Sequence, residues 1–254
     1  MTDNRIRAAL IVRPLFFLIA LFFLSESLCS AQRQVSASVE SKVLAKGKKT
    51  ISKKDVFCKS DGSLVVHSYY DDADMYFLVS RLGVVKLYSP ATNEVLNDVQ
   101  GIMEAKDELL YIFANGMGED LGISQYEFVI SDSKKEDGYL KRTFISKISS
   151  NKCAKVEVVY KDYLPICAIY YDKKGRVLTK TYLSNYEATG NFIFPRRVTE
   201  ITYFMEKGDS TVRLDLYSNI KVNEPAPEFD FVVPADAKPI DIKEIQKAFK
   251  NSKK

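Results

Sequence analysis

The chain has 254 residues, with 37 Lys and Arg against 33 Asp and Glu, a single histidine and no tryptophan. A formal charge of +4, with bases scattered among acids, excludes a nucleic-acid surface, and one histidine speaks against a histidine-based metal centre. What the chain holds in quantity is ring surface, 15 Tyr and 15 Phe.

At the amino terminus, Arg5, Arg7 and Arg13 flank an apolar run at 15–24. That run is too short to cross a hydrocarbon core of about 30 Å as a helix. Small residues follow at Cys29-Ser30-Ala31, so residues 1–31 read as a secretory signal cleaved after Ala31. Cys29 offers a second reading, the lipidated first residue of a lipoprotein. Glu26 and Leu28, however, stand where such a signal wants an apolar and a small residue. The remainder, 32–254, suits one domain. Its cysteines, Cys58, Cys153 and Cys167, allow at most one internal disulfide and lack metal or redox spacing.

Strands are expected at 35–45, 51–58, 62–70, 74–80 and 84–88, with turn signals at Gly47, Asp61-Gly62, Asp71-Asp72 and Leu82-Gly83. The lysine run at 46–54 reads either as a strand edge guarded by charge or as a contact for anionic headgroups or an acidic partner. Ile102, Ala105, Leu109, Ile112 and Phe113 recur at helical spacing and predict a helix over 98–115, closed by Gly116-Met117-Gly118. Further strands follow near 125–131, 140–147, 154–160, 165–171, 176–184, 196–206, 210–218 and 228–233, then a short helix at 241–250. In the strand around 211–217, Val212, Leu214 and Leu216 alternate with Arg213 and Asp215, which predicts one apolar and one wet face.

Catalytic patterns are missing. His67 alternates away from Leu64 and Val66, the S-x-x-K runs at 131–134 and 149–152 sit in polar turns, and no G-x-S-x-G or H-E-x-x-H occurs. The expectation is a binding protein, with no enzymatic activity, no metal and no cofactor.

Three segments resemble the periplasmic outer-membrane lipoprotein carrier (LolA-like) family. These are 78–95, ending Tyr88-Ser89-Pro90 through Asn93 to Val95; 171–176 with Tyr182, Tyr186 and Phe194-Pro195; and Val222-Asn223 through Phe231 to Pro234. Ser89 stands where the family has Asp, and 32–41 lacks the family's opening amphipathic helix. The strand pattern and the resemblance give the same α+β, mainly β fold. It is a curved antiparallel sheet, an unclosed barrel of about 11 strands, with helices covering the concave side. The resemblance implies a periplasmic monomer that holds the acyl chains of lipoproteins, or another lipid, in an apolar cavity. It would take them from an inner-membrane exporter to an outer-membrane acceptor. The apolar alternation nominates Leu64, Val66, Val85, Leu87, Val156, Val158, Ile201, Tyr203, Leu214 and Leu216 as lining, with Ile102, Leu109 and Phe113 as the lid face. The alternative is a lipid-sensing regulatory or structural envelope protein on the same scaffold, without transport.

Overall fold

Alternating side chains and short turns produce fourteen strands that hydrogen-bond into one sheet. The computed structural model describes residues 33–69, 74–97, 105, 108–204 and 208–240. The first six strands are β1 (Gln34–Ala45), β2 (Lys48–Lys59), β3 (Leu64–Tyr69), β4 (Asp74–Val79), β5 (Val85–Ser89) and β6 (Glu94–Asn97). After the helix α1 (Leu109–Ala114) come β7 (Phe128–Glu136), β8 (Tyr139–Ser146), β9 (Cys153–Lys161), β10 (Leu164–Asp172), β11 (Val177–Thr189), β12 (Phe192–Phe204) and β13 (Asp209–Val222). The last is β14 (Lys238–Ile240). The order across the sheet is β14-β6-β5-β4-β3-β2-β1-β13-β12-β11-β10-β9-β8-β7, so the sheet is curved but never closes.

Neighbours are antiparallel throughout, except that β14 runs parallel to β6. Pro239 fits there because β14 is an edge, where a missing N–H costs no ladder bond. The β1–β2 hairpin closes through Lys46 and Gly47 at φ 49° and 73°, the paired left-handed residues of a two-residue hairpin turn. Where β13 meets β1, the pairing slips between Ser36 and Ser38. Asn219, at φ 52°, absorbs the slip, since asparagine tolerates left-handed backbone.

Among the described residues the sheet has 14 strands where about 11 were expected, and helices are sparse. Two strands went unread, β6 and β14, because runs of 4 and 3 residues carry almost no alternation signal. The expected strand at 228–233 is instead a 3-10 turn, Pro227–Asp230, with Pro at its start. Phe229 there meets Phe57 edge-to-face at 5.5 Å, and Phe231 stacks on Tyr76 at 4.2 Å. A second 3-10 turn, Ile123–Tyr126, takes the start of the strand expected at 125–131. The export segment 1–31 with Cys29, the lid residue Ile102 and the closing helix 241–250 lie outside the described residues.

On the inner face the core forms two clusters. One joins β1–β6 to α1 and to Phe192, Phe194, Val198 and Tyr217. The other gathers Leu121, Ile123 and Phe128 with Phe144, Val156, Val158, Ala168 and Leu183. Leu109 and Phe113 of α1 pack against both, so the helix bridges them. Lys54 alternates inward with Val56 and Cys58 and pairs with Glu108, which is buried just before α1. The pair fastens the helix to β2 with a carboxylate at the positive end of its dipole. Cys58, Cys153 and Cys167 are free thiols.

The ring of Phe113 is held by the backbone that follows α1. A Cβ at Gly118 would meet it at 2.7 Å. Gly118→Ala is therefore expected to lower unfolding free energy by about 1–3 kcal/mol, read from a denaturant melt. Gly138→Ala, with open space at the Cβ, should show only the cost of its left-handed backbone.

Candidate ligand-binding cavity

Between the helix and the sheet the side chains do not fill the inner face. A cavity of about 570 Å³ remains, bounded by α1, the Ile123–Tyr126 turn and strands β9 to β13. That lies within the roughly 300–1,000 Å³ of small-molecule sites. Leu109, Ile112, Leu121, Ile123, Phe128, Val156, Leu183 and Val198 supply apolar wall. Asn151, Lys152, Thr181, Glu200, Arg213 and Asp215 supply a polar one.

The polar wall follows from strand register. Residues opposite one another share a face, and Asp215 pairs with Val198 while Arg213 pairs with Glu200. Val198 in turn meets Leu183, and Glu200 meets Thr181, so rows of mixed character run across the cavity floor. Arg213 Nε donates to both carboxylate oxygens of Asp215, at 3.0 and 2.8 Å, and Nη2 stands 2.6 Å from Oδ2. Asp215 is only 3% exposed. Its hydrogen bond holds the Arg213 guanidinium above its ordinary range, against the opposing effect of burial, with the charge of Glu200 adding to the rise. The ion pair neutralises itself.

Burial, reinforced by Glu200, pushes the Tyr170 phenol up. Burial, reinforced by Glu108 and Asp215, does the same to Tyr217. The Cys153 thiol is also raised by burial, which leaves it a neutral group and a poor nucleophile. Such a cavity can hold an apolar chain against one wall and satisfy hydrogen-bonding groups at the other.

The structure distributes the nominated residues among three places. Val156 and Leu109 line the cavity. Leu64, Val66, Val85 and Leu87 lie on the inner face in the first cluster, and Val158 in the second. Phe113 lies between the clusters, edge-to-face on Phe194 at 5.0 Å. Ile201, Tyr203, Leu214 and Leu216 do not reach the cavity. They alternate with Val198, Glu200, Arg213, Asp215 and Tyr217, which do, so they stand on the outer face. The correction has a physical reason: Arg213 and Asp215 satisfy each other, so a charged row can be buried while the apolar row beside it faces out. Leu183 and Val198 were not nominated because no apolar row marks them: two residues away, at the positions alternation puts on the same face, stand Thr181 and Asn185 for the one, and Arg196 and Glu200 for the other.

The sequence matches no family model and no curated protein. Solved structures are more informative. A LolA superfamily protein from Nitrosomonas europaea superposes with a TM-score of 0.55 at 15% identity, over 80% of this chain and 91% of the other. A domain assigned to outer membrane lipoprotein sorting, from Vibrio parahaemolyticus, gives 0.52 at 15% identity, over 78% of this chain and 89% of the other. The class of protein is thus an open, curved β-sheet with a cavity on its inner face. More particularly, its fold is LolA-like, a likeness of architecture at low identity.

Arg213→Leu strands the buried Asp215 carboxylate. The expected loss is about 1–3 kcal/mol, reduced from a fully buried pair because Arg213 keeps partial contact with water. Replacing both residues with leucine should recover most of it. A double-mutant cycle by chemical denaturation reads the coupling.

Proposed function

We propose that this protein binds the apolar chain of a lipid or acylated protein in the inner-face cavity and carries it between membranes of the cell envelope. The observation that supports this reading best is the 570 Å³ space left between α1 and the sheet, with an apolar wall on one side. The LolA-like architecture supports it from a second direction. The reading includes the expectations made from the amino terminus and the resemblance: export of the chain, a periplasmic location, a donor in the inner membrane, an acceptor in the outer membrane, and a monomeric carrier. The protein performs no reaction of its own in this account.

Burying a methylene is worth about 0.8 kcal/mol, so even half of a long acyl chain repays several kcal/mol of ordering. Release has to be achievable as well. A cavity of this size covers one chain better than three, so a multiply acylated cargo would leave part of its lipid to the partner that receives it. Transfer then follows differential affinity between donor, carrier and acceptor.

The test is uptake of a fluorescent long-chain acyl probe, competed by unlabelled lipid. Val156→Phe places a ring in the cavity and should weaken binding at least about tenfold, or ~1.4 kcal/mol. Leu214→Phe, on the outer face, should leave it unchanged. Equal binding by both variants, or no binding by the parent chain, would reject the cavity as the lipid site.

A further inference from the structure

We propose that the β1–β2 hairpin tip, with the outer-face strip beside it, docks the protein onto an anionic lipid bilayer. From Ser41 to Lys54 the chain carries six lysines and no acidic residue. Lys54 turns inward to Glu108, and Lys42 pairs with Glu40 at 2.8 Å. Lys46, Lys48, Lys49 and Lys53 are exposed and, among the described residues, have no carboxylate in ion-pair reach. Their positive field is visible on Glu40. Its carboxyl is held below the usual range first by the Lys42 hydrogen bond, and Lys53 and Lys49 add to the effect.

Apolar groups stand among these charges. Leu44 and Ile51 are 49% and 52% exposed, directly across the hairpin from Lys49 and Lys42. Leu44 continues through Val212 to Ile201, and Lys42 through Leu214. Ile201 and Leu214 in this outer-face strip are residues the sequence had assigned to the cavity. Aliphatic side chains that enter the headgroup boundary while lysine stems carry their ammonium groups to the phosphates suit a bilayer. The composition of the run points the same way. It contains no arginine, the side chain that reads a carboxylate in two-pronged geometry, and lysine acts as a point charge on a diffuse anionic surface.

The location is also suitable. Val43 pairs with Arg213, so the hairpin tip lies just beyond the polar wall of the cavity, at the same end of the sheet. Docking there brings that end to the lipid. The inference does not depend on what occupies the cavity.

Flotation with phosphatidylcholine vesicles, with and without phosphatidylglycerol, tests it. The self-contained unit Arg33–Lys254 is used so that the apolar amino terminus makes no contribution. The expected result is flotation only with the anionic vesicles, reversed by salt. Lys46→Gln, Lys48→Gln, Lys49→Gln and Lys53→Gln together should lower partition at least about a hundredfold, since each lysine near an anionic surface is worth about fivefold. Leu44→Ser with Ile51→Ser should also weaken partition onto the anionic vesicles, at every salt concentration at which the parent still floats. Lys134→Gln, Lys135→Gln and Lys141→Gln, toward the far edge of the sheet, should change nothing. Equal flotation with neutral and anionic vesicles overturns the proposal, as does a fourfold lysine variant that melts and floats like the parent. Absence of flotation together with binding of soluble polyglutamate to the same four lysines also overturns it, and assigns the surface to an acidic protein.

Discussion

The period-two alternation of β13, locked between β1 and β12, governs the rest of the molecule. With Asp215 opposite Ser41 on one side and Val198 on the other, one row of side chains must face the helix and the next must face out. A slip of a single residue would exchange them. The register chosen turns the buried Asp215 and Tyr217 and the half-buried Arg213 toward the cavity beneath α1, and turns Val212, Leu214 and Leu216 outward. That arrangement is tolerable because the guanidinium and the carboxylate satisfy each other at hydrogen-bond distance.

Two consequences follow, one for each face. On the inner face, β1–β6 close on their own apolar residues, and Phe144, Val158 and Ala168 do the same on the other flank. Packing is incomplete between them, where polar rows interrupt the apolar ones. A helix of 6 residues spans that gap, fastened by Phe113 and by the Glu108–Lys54 pair. It is too short to fill the space and the cavity stays open beneath it. On the outer face, the tail from Pro227 onward lays Phe229 and Phe231 over Phe57 and Tyr76. The apolar strip around Leu44 keeps half of that side chain in water.

Much of the fold was legible in the sequence. Long strands such as β1, β9 and β12 announce themselves by alternation, and the hairpin at Lys46-Gly47 by its glycine. The short motifs at 78–95, 171–176 and 222–234 led to the same architecture that the solved structures share. Brief edge strands were not legible, nor was the 3-10 turn at Pro227–Asp230, whose Phe-Asp-Phe alternation imitates a strand. His67 alternates away from Leu64 and Val66 onto the outer face, as its place in the sequence suggested; what alternation did not show is that it stacks there on Tyr76 at 4.2 Å. The cavity was the least legible part. Alternation reveals that β13 has two unlike faces but cannot say which is inside when the polar residues can pair. That decision belongs to Ser41, Val198 and the helix, far away in sequence.

The most direct measurement is methyl NMR of the Arg33–Lys254 unit, selectively labelled at Ile, Leu and Val, with a long-chain saturated amphiphile added. The account predicts ligand cross-peaks from the dispersed amphiphile to Ile112, Val156, Leu183 and Val198, whether or not Val212, Leu214 or Leu216 also meet it. Cross-peaks to those outer-face methyls in place of the inner ones would contradict it, because the cavity beneath α1 would then not be where this protein meets lipid.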